Sequence, residues 1–353
     1  YMSYQDGWDA LNLRMPPRVP RTEYSLEGHW EVIRQVTGIN VTSQSDAETK
    51  RRGSRALIKA FNYDFIWSTL IGDGVFGDKR TDMGHAVYVD GGSDFRAIGK
   101  PLFDDPEEAL RMDPWELYGP VDEQKAVEDF NRAYQRNCEA NPDAVNMTGI
   151  YVTCISGLIA IFGWDMLLTA AGTDAEAFGA FTNRYATWIQ QYFNALGKSK
   201  APVVMVHDDI VWTQGAFIHP DWYRRFVFPN YKKYFAPLKE AGKIIVYTSD
   251  GTYTQFVDDI AAAGVNGFVM EPTTDMAYIA EKYGKTHSFI GNADTRILLS
   301  GTKEEIRAEV QRCMDIGKAY PGFFMAVGNH IPANTPVDNV LYYNEVYEEM
   351  SKR

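Results

Sequence analysis

The sequence predicts an α/β fold, a closed (β/α)8 barrel of TIM type, distorted, over residues 61–353, with a helical extension over residues 1–60. Three observations predict it. Short, uncharged, β-rich runs recur along the 353 residues. Amphipathic helical stretches separate them, and two-faced apolar strands alternating with such helices mean a parallel sheet buried on both sides. Each run also stops at Asp, Glu, His or Asn, as it must if strand ends share one polar mouth. An open doubly wound sheet is the runner-up. No strand is followed by G-x-G-x-x-G or a Walker loop, which counts against nucleotide-binding versions of that fold.

Taken in order, residues 23–36 carry apolar residues at helical intervals. Ser45 is placed to cap a helix over residues 46–61, with Glu48 at the capping-box position. Residues 65–71 read as a buried strand ending at Gly72-Asp73-Gly74. The Gly-rich stretch 75–100 reads as an inserted hairpin or lid. A helix is expected over residues 121–140, then a strand over 145–154 and helices over 157–171 and 174–196. The strand at 203–207 ends in His207-Asp208-Asp209, and a helix over 220–241 should bend near Pro229. Strands at 244–248, 267–270 and 287–290 end at Ser249-Asp250, Glu271 and Asn292-Ala293-Asp294. The helices after the first two of these, 253–263 and 276–283, stop at Gly264 and Gly284, a C-cap signal. The helix over 303–319 precedes the last strand, which runs from Phe323 to Gly328-Asn329-His330 before a helix over 337–350.

Hydrophobic residues make up 45% and charged residues 23%, the balance of a water-soluble chain with a large core. The net charge of −12 argues against nucleic acid. No uncharged apolar run is long enough for a bilayer, no secretion leader is evident, and a cytoplasmic setting is expected. Three scattered cysteines, Cys138, Cys154 and Cys313, fit a reducing compartment without disulfides. The basic cluster Lys50-Arg51-Arg52 with Arg55 reads as a solvated helix face, with docking as the lesser alternative. A homo-oligomer is compatible with all of this.

If the barrel closes, its strand ends bring together Asp73, His207, Asp208, Asp209, Ser249, Asp250, Glu271, Asn292, Asp294, Asn329 and His330. Each Asp, Ser or Asn could instead be a helix cap. Several are metal-ligand types, but none has a readable ligand spacing, and no bound metal is expected. Trp164, Trp212, Tyr247, Phe162 and Met83 lie on or beside the strand-end loops. Aromatics with a few carboxylates and imidazoles suit a flat, mostly apolar ligand bearing oxygens.

Val206-His207-Asp208-Asp209, His219-Pro220-Asp221-Trp222-Tyr223-Arg224-Arg225-Phe226, Tyr247-Thr248-Ser249-Asp250-Gly251, Ile290-Gly291-Asn292-Ala293-Asp294 and Gly328-Asn329-His330-Ile331-Pro332-Ala333-Asn334-Thr335-Pro336 stand in an order that resembles the uroporphyrinogen decarboxylase superfamily. The resemblance spans residues 200–345 and implies a distorted (β/α)8 barrel. The decarboxylase branch carries a Met-Arg-Gln-Ala-Gly-Arg motif that grips substrate carboxylates; here the early segment reads Leu13-Arg14-Met15-Pro16-Pro17-Arg18. The other branch holds corrinoid-dependent methyltransferases. Its thiol-acting members bind zinc through His and Cys where this chain has Tyr247, Ser249 and Asn329.

What remains is similar to the aromatic O-demethylases, which take the methyl group of aryl methyl ethers such as veratrole, guaiacol or vanillate. The resemblance implies a corrinoid (cobalamin) carried by a partner protein, with no cofactor bound tightly to this chain. Acid assistance at the ether oxygen is expected from among His207, Asp209, Asp250 and His330. Tyr247, Asn329 and Glu271 are expected to meet substrate, and Met83, His85, Trp164 and Trp212 to wall the pocket. A decarboxylase or lyase acting on another small acid is the alternative.

Overall fold

A computed structural model describes residues 3–81, 87–88, 94–95 and 100–353. The sheet has six parallel strands in chain order: β3 (Thr148–Ile150), β4 (Val203–His207), β5 (Ile244–Ser249), β6 (Gly267–Met270), β7 (Ser288–Ile290) and β8 (Phe323–Phe324). The pairing continues around both edges through short extended segments. Residues 64–71 bridge to the β3 segment at Phe65↔Val145 and Ile71↔Ile150, both parallel. Residues 20–24 bridge to the β8 segment at Arg21↔Met325 and Tyr24↔His330. The Asp64 amide donates to the Arg21 carbonyl at 2.9 Å, so the two segments meet. Eight staves thus complete the circuit, two of them held by single bridges rather than ladders.

Residues 1–60 are therefore not only a helical extension. Helices form at Ser3–Leu11, Trp30–Thr37 and Ala47–Ala60, but residues 20–24 between them belong to the barrel wall. Glu23, expected to begin a helix, is fully buried there. Its carboxylate accepts from the Val327 amide at 3.0 Å and the Tyr343 hydroxyl at 2.6 Å, and pairs with Arg21 at 3.2 Å. The Arg21 guanidinium lies 4.5 Å from the Tyr347 ring centre. A buried charge that finds its counter-charge and donors in one place pins the first stave to the last stave and the last helix.

Other local expectations shift for identifiable reasons. Asp46, not Ser45, caps the Ala47–Ala60 helix, accepting from the Thr49 amide at 2.8 Å. The bend expected near Pro229 is a break at Val227, between helices Pro220–Phe226 and Phe228–Glu240; Pro229 then sits in a first turn, where its missing N–H costs nothing. The Ile155–Thr173 helix breaks at Gly163, whose φ of 72° lies in the left-handed region. This helix is long and apolar enough to cross a bilayer by length and composition, yet most of it is buried inside the fold. Within the segment read as a hairpin, β1 (Val87–Tyr88) pairs antiparallel with β2 (Asp94–Phe95). Met83 and His85 lie outside the described residues.

Strand alternation divides the core. Phe65, Met147, Val203, Met205, Val246, Val269, Ile290 and Phe324 pack together inside the barrel. Their neighbours in the other phase, such as Val204, Val206, Ile245 and Tyr247, pack outward with the helices. Glycine is required where staves crowd: a Cβ on Gly149 would lie 1.9 Å from the Met205 carbonyl oxygen. Gly149→Ala is expected to destabilise the fold by about 1–3 kcal/mol, read from the urea midpoint.

Candidate active site

The inner phase, followed past the strand ends, builds the mouth. A cavity of about 300 Å³ opens there, lined by Tyr24, Trp67, Tyr151, His207, Thr248, Asp250, Asn329 and His330, with Met205, Val269 and Met270 below. No Lys or Arg lines it among the described residues.

Asp208 sets the geometry without entering the cavity. It is fully buried, and its carboxylate accepts from the amides of Cys154 at 3.1 Å and Ser156 at 2.8 Å and from the Tyr231 hydroxyl at 2.5 Å. It thus caps the Ile155–Thr173 helix from another strand, since Cys154 offers no side-chain cap of its own. Burial pushes the Asp208 carboxyl up to about 6 against these donors. With Asp208 turned outward, His207 and Asp209 lie on the opposite, inner side.

His207 is held on three sides. Its ring stacks on Tyr151 with centroids 3.7 Å apart and planes within 6°. Its Nδ1 faces the Tyr151 carbonyl at 3.0 Å and its Nε2 faces the Asp209 carboxylate at 3.1 Å. Two acceptors require a proton on each nitrogen, so the ring is an imidazolium. Burial opposes that charge, but Asp209 and, beyond it, Asp250 outweigh burial and lift His207 to about 9. The same Asp209 oxygen accepts the Asp250 amide at 2.9 Å, which fixes where Asp250 begins.

Asp250 differs from its neighbours. Solvent reaches it through the mouth, yet protein rings it closely, and its carboxyl oxygens accept no hydrogen bond among the described residues. Desolvation and the nearby Asp209 and Glu271 carboxylates raise its pKa well above the ordinary value; His207 offsets them only in part. Glu271 is compensated, taking the Gly251 amide at 2.6 Å and the Asn329 side-chain amide. Asn329 in turn accepts the His330 amide at 2.7 Å. His330 shares a hydrogen bond with the Ser25 hydroxyl, and burial lowers its pKa, so its ring is neutral.

The structure thus gathers His207, Asp209, Asp250, Asn329 and His330 at the mouth, with Glu271 behind Asn329 rather than on the cavity wall. Tyr247 is not among them. It is fully buried on the outer face, its hydroxyl 3.3 Å from both the Tyr231 hydroxyl and the Asp208 carbonyl. The inner side chain at this level is Thr248, one residue on, because strand side chains alternate. Trp164 and Trp212 line a separate aromatic cluster with Phe217, at centroid distances of 5.3–5.9 Å. Trp212 remains 45% exposed, and its carbonyl packs against Gly251 beside the mouth. Asp294 is a cap, binding the Arg296 amide at 2.9 Å and its guanidinium at 2.7 Å. Asn292 is buried against the carbonyls of Glu271 and Thr274. Among the described residues no three His, Cys, Asp or Glu side chains are grouped to hold a metal ion.

Sequence reasoning missed Tyr24, Trp67 and Tyr151. Their rings carry the aromatic character that had been assigned to the loop tryptophans; Tyr24 stacks on Trp67 at 4.6 Å. Counting the inner phase back from the strand ends would have found Trp67, two residues from Phe65 in the expected strand. Tyr24 carried no signal, because its segment read as a helix.

A family model described as uroporphyrinogen decarboxylase (URO-D) matches residues 83–350. The uroporphyrinogen decarboxylase of Thermus thermophilus is 30% identical over 161 residues, 46% of this chain and 45% of that one. The enzyme of that name from Carboxydothermus hydrogenoformans is 29% identical over 178 residues, 50% and 49% of the two chains. The chain therefore matches about half the length of these relatives. A methyltransferase from Methanosarcina mazei superposes with a TM-score of 0.65 at 17% identity, covering 99% of both chains, which shows a shared fold.

Asp209→Asn should lower the His207 pKa from about 9, since burial remains and the main counter-charge is gone. Imidazole NMR titration reads this directly. Because the folded value lies above the unfolded one, this pair stabilises the fold fully below pH 6.5, and that contribution is lost as pH rises through about 9. The variant should lack that component of the wild-type pH–stability curve.

Proposed function

The chain belongs to the uroporphyrinogen decarboxylase family, and from that premise we propose that it is a methyltransferase that removes the methyl group of small aryl methyl ethers. One observation carries the reading: a small aromatic-walled cavity, with no Lys or Arg on its wall among the described residues, holds a carboxyl group whose pKa is raised well above the ordinary value. A space of about 300 Å³ suits a single substituted ring. It has neither the size nor, among the described residues, the Lys and Arg side chains that would suit a polyanionic tetrapyrrole, which disfavours the reaction that the relatives' name describes.

In this reading the ring of the ether stacks among Tyr24, Trp67 and Tyr151, and Asp250 presents its proton to the ether oxygen. Breaking the oxygen–methyl bond leaves the electron pair on oxygen, as a phenolate whose conjugate acid has a pKa of roughly 10. Transfer of the Asp250 proton to that oxygen releases a neutral phenol. The His207 imidazolium, held by Asp209, offsets the negative charge left on Asp250. Asn329, positioned by Glu271, offers its amide to a second substrate oxygen. A reduced corrinoid brought by a partner protein would supply the nucleophile that accepts the methyl group. What this chain offers it is an open mouth and the exposed Trp212 beside it.

Asp250→Asn should lower kcat by about 10²-fold or more, the usual worth of general-acid help, with a smaller change in KM. Wild-type rate should fall as pH rises through the elevated Asp250 pKa, and the variant should lose that limb. The assay is the methyl-cobalt absorbance change with guaiacol or veratrole and a reduced corrinoid protein. No change with either substrate, under conditions where the corrinoid protein is competent, would sink the proposal. Carbon dioxide release from a small aromatic acid would replace it with the decarboxylase reading.

A further inference from the structure

A second cavity, about 770 Å³, is at the other end of the barrel. Arg18, Tyr63 and Ala144 on its wall each directly precede a stave, so it opens at the N-terminal ends of the strands, away from the mouth. Its size is that of a small-molecule site. Ala56, Ile58, Pro142 and Ala144 make part of the wall apolar.

The charges around it are unusual for a chain of net charge −12. Arg51, Arg55 and Lys59 stand at successive four-residue steps on the Ala47–Ala60 helix, all exposed. Like charges at this spacing repel and destabilise a helix. Arg55 and Lys59 line the cavity with Lys352 from the C-terminal segment, and none of the three is ion-paired among the described residues. Arg18, also on the wall, is already committed to Asp6 at 2.9 Å and Asp64 at 2.5 Å. The Tyr63 hydroxyl is buried and has no hydrogen-bond partner, a state that costs free energy until something accepts from it. Asp143 and Glu348 line the same cavity. Two carboxylates against three uncommitted cations leave room for one anionic head and disfavour a polyanion.

We propose that this cavity binds a small organic anion, a single carboxylate or phosphate on an apolar body, with Arg55, Lys59 and Lys352 around the head. The site is independent of the chemistry at the mouth, which contains no Lys or Arg among the described residues.

Calorimetric titration of the full chain with phenyl phosphate, benzoate and inorganic phosphate tests this. One of the two organic anions should bind saturably at one site, more weakly as salt rises, and phenyl phosphate should bind more tightly than inorganic phosphate. The exposed double substitution Arg55→Glu/Lys59→Glu should weaken binding roughly tenfold or more, as expected for lost charge-assisted hydrogen bonds. Its circular dichroism and melting curve report whether it is folded, and the milder Arg55→Gln should weaken binding in the same direction. Asp250→Asn should leave binding unchanged. The proposal is overturned if neither organic anion saturates, if the folded double variant binds as the wild type does, or if Asp250→Asn abolishes binding and so places the probe in the mouth.

Discussion

The arrangement at the mouth follows from one constraint: the carboxylates of Asp209, Asp250 and Glu271 and the imidazole of His207 are brought close together. They cannot all be ionised without compensation. Asp209 is compensated by His207 and by the Asp250 amide. Glu271 is compensated by the Gly251 amide and by Asn329. Asp250 has neither, and desolvation with the neighbouring Asp209 and Glu271 raises its pKa well above the ordinary value. The carboxyl whose pKa rises is thus selected by the distribution of hydrogen bonds around it. His330, on the same rim, is pushed the opposite way because burial disfavours its charged form.

That distribution depends on how the barrel is closed. The first two staves lack the ladders of the other six and are held by single bridges and by polar groups buried between them. The Arg21–Glu23 pair and its tyrosines carry much of this joint. Removing one partner would leave an uncompensated buried charge, which costs far more than an exposed pair contributes. The same closure brings Tyr24 and Trp67 over the cavity. Aromatic walls and barrel stability therefore come from the same two segments.

Much of the architecture was legible because strands and helices leave periodic marks. Boundaries at 203–207, 267–270, 276–283 and 337–350 agree with the structure, since apolar runs there end at sharp polar or glycine signals. The early segments were less legible. Residues 20–24 are a stave held by side chains more than 300 positions away in sequence, which leaves no local period to read. At the mouth, the strand-end rule located His207, Asp209, Asp250, Asn329 and His330. It could not tell Tyr247 from Thr248, because a strand end supplies both phases and only the packing of neighbouring staves says which is inner.

By itself the sequence determined the alternation of strands and helices and the polar end of each strand. These are properties of short segments, set by propensity and burial. Tertiary structure alone decided that Asp208 is a helix cap while Asp209 is a partner of His207, though the two are adjacent and chemically identical. It also decided that the Asp250 pKa is raised well above the ordinary value. Both outcomes are differences in hydrogen bonding and desolvation, and these exist only once residues distant in the chain surround the same carboxylate.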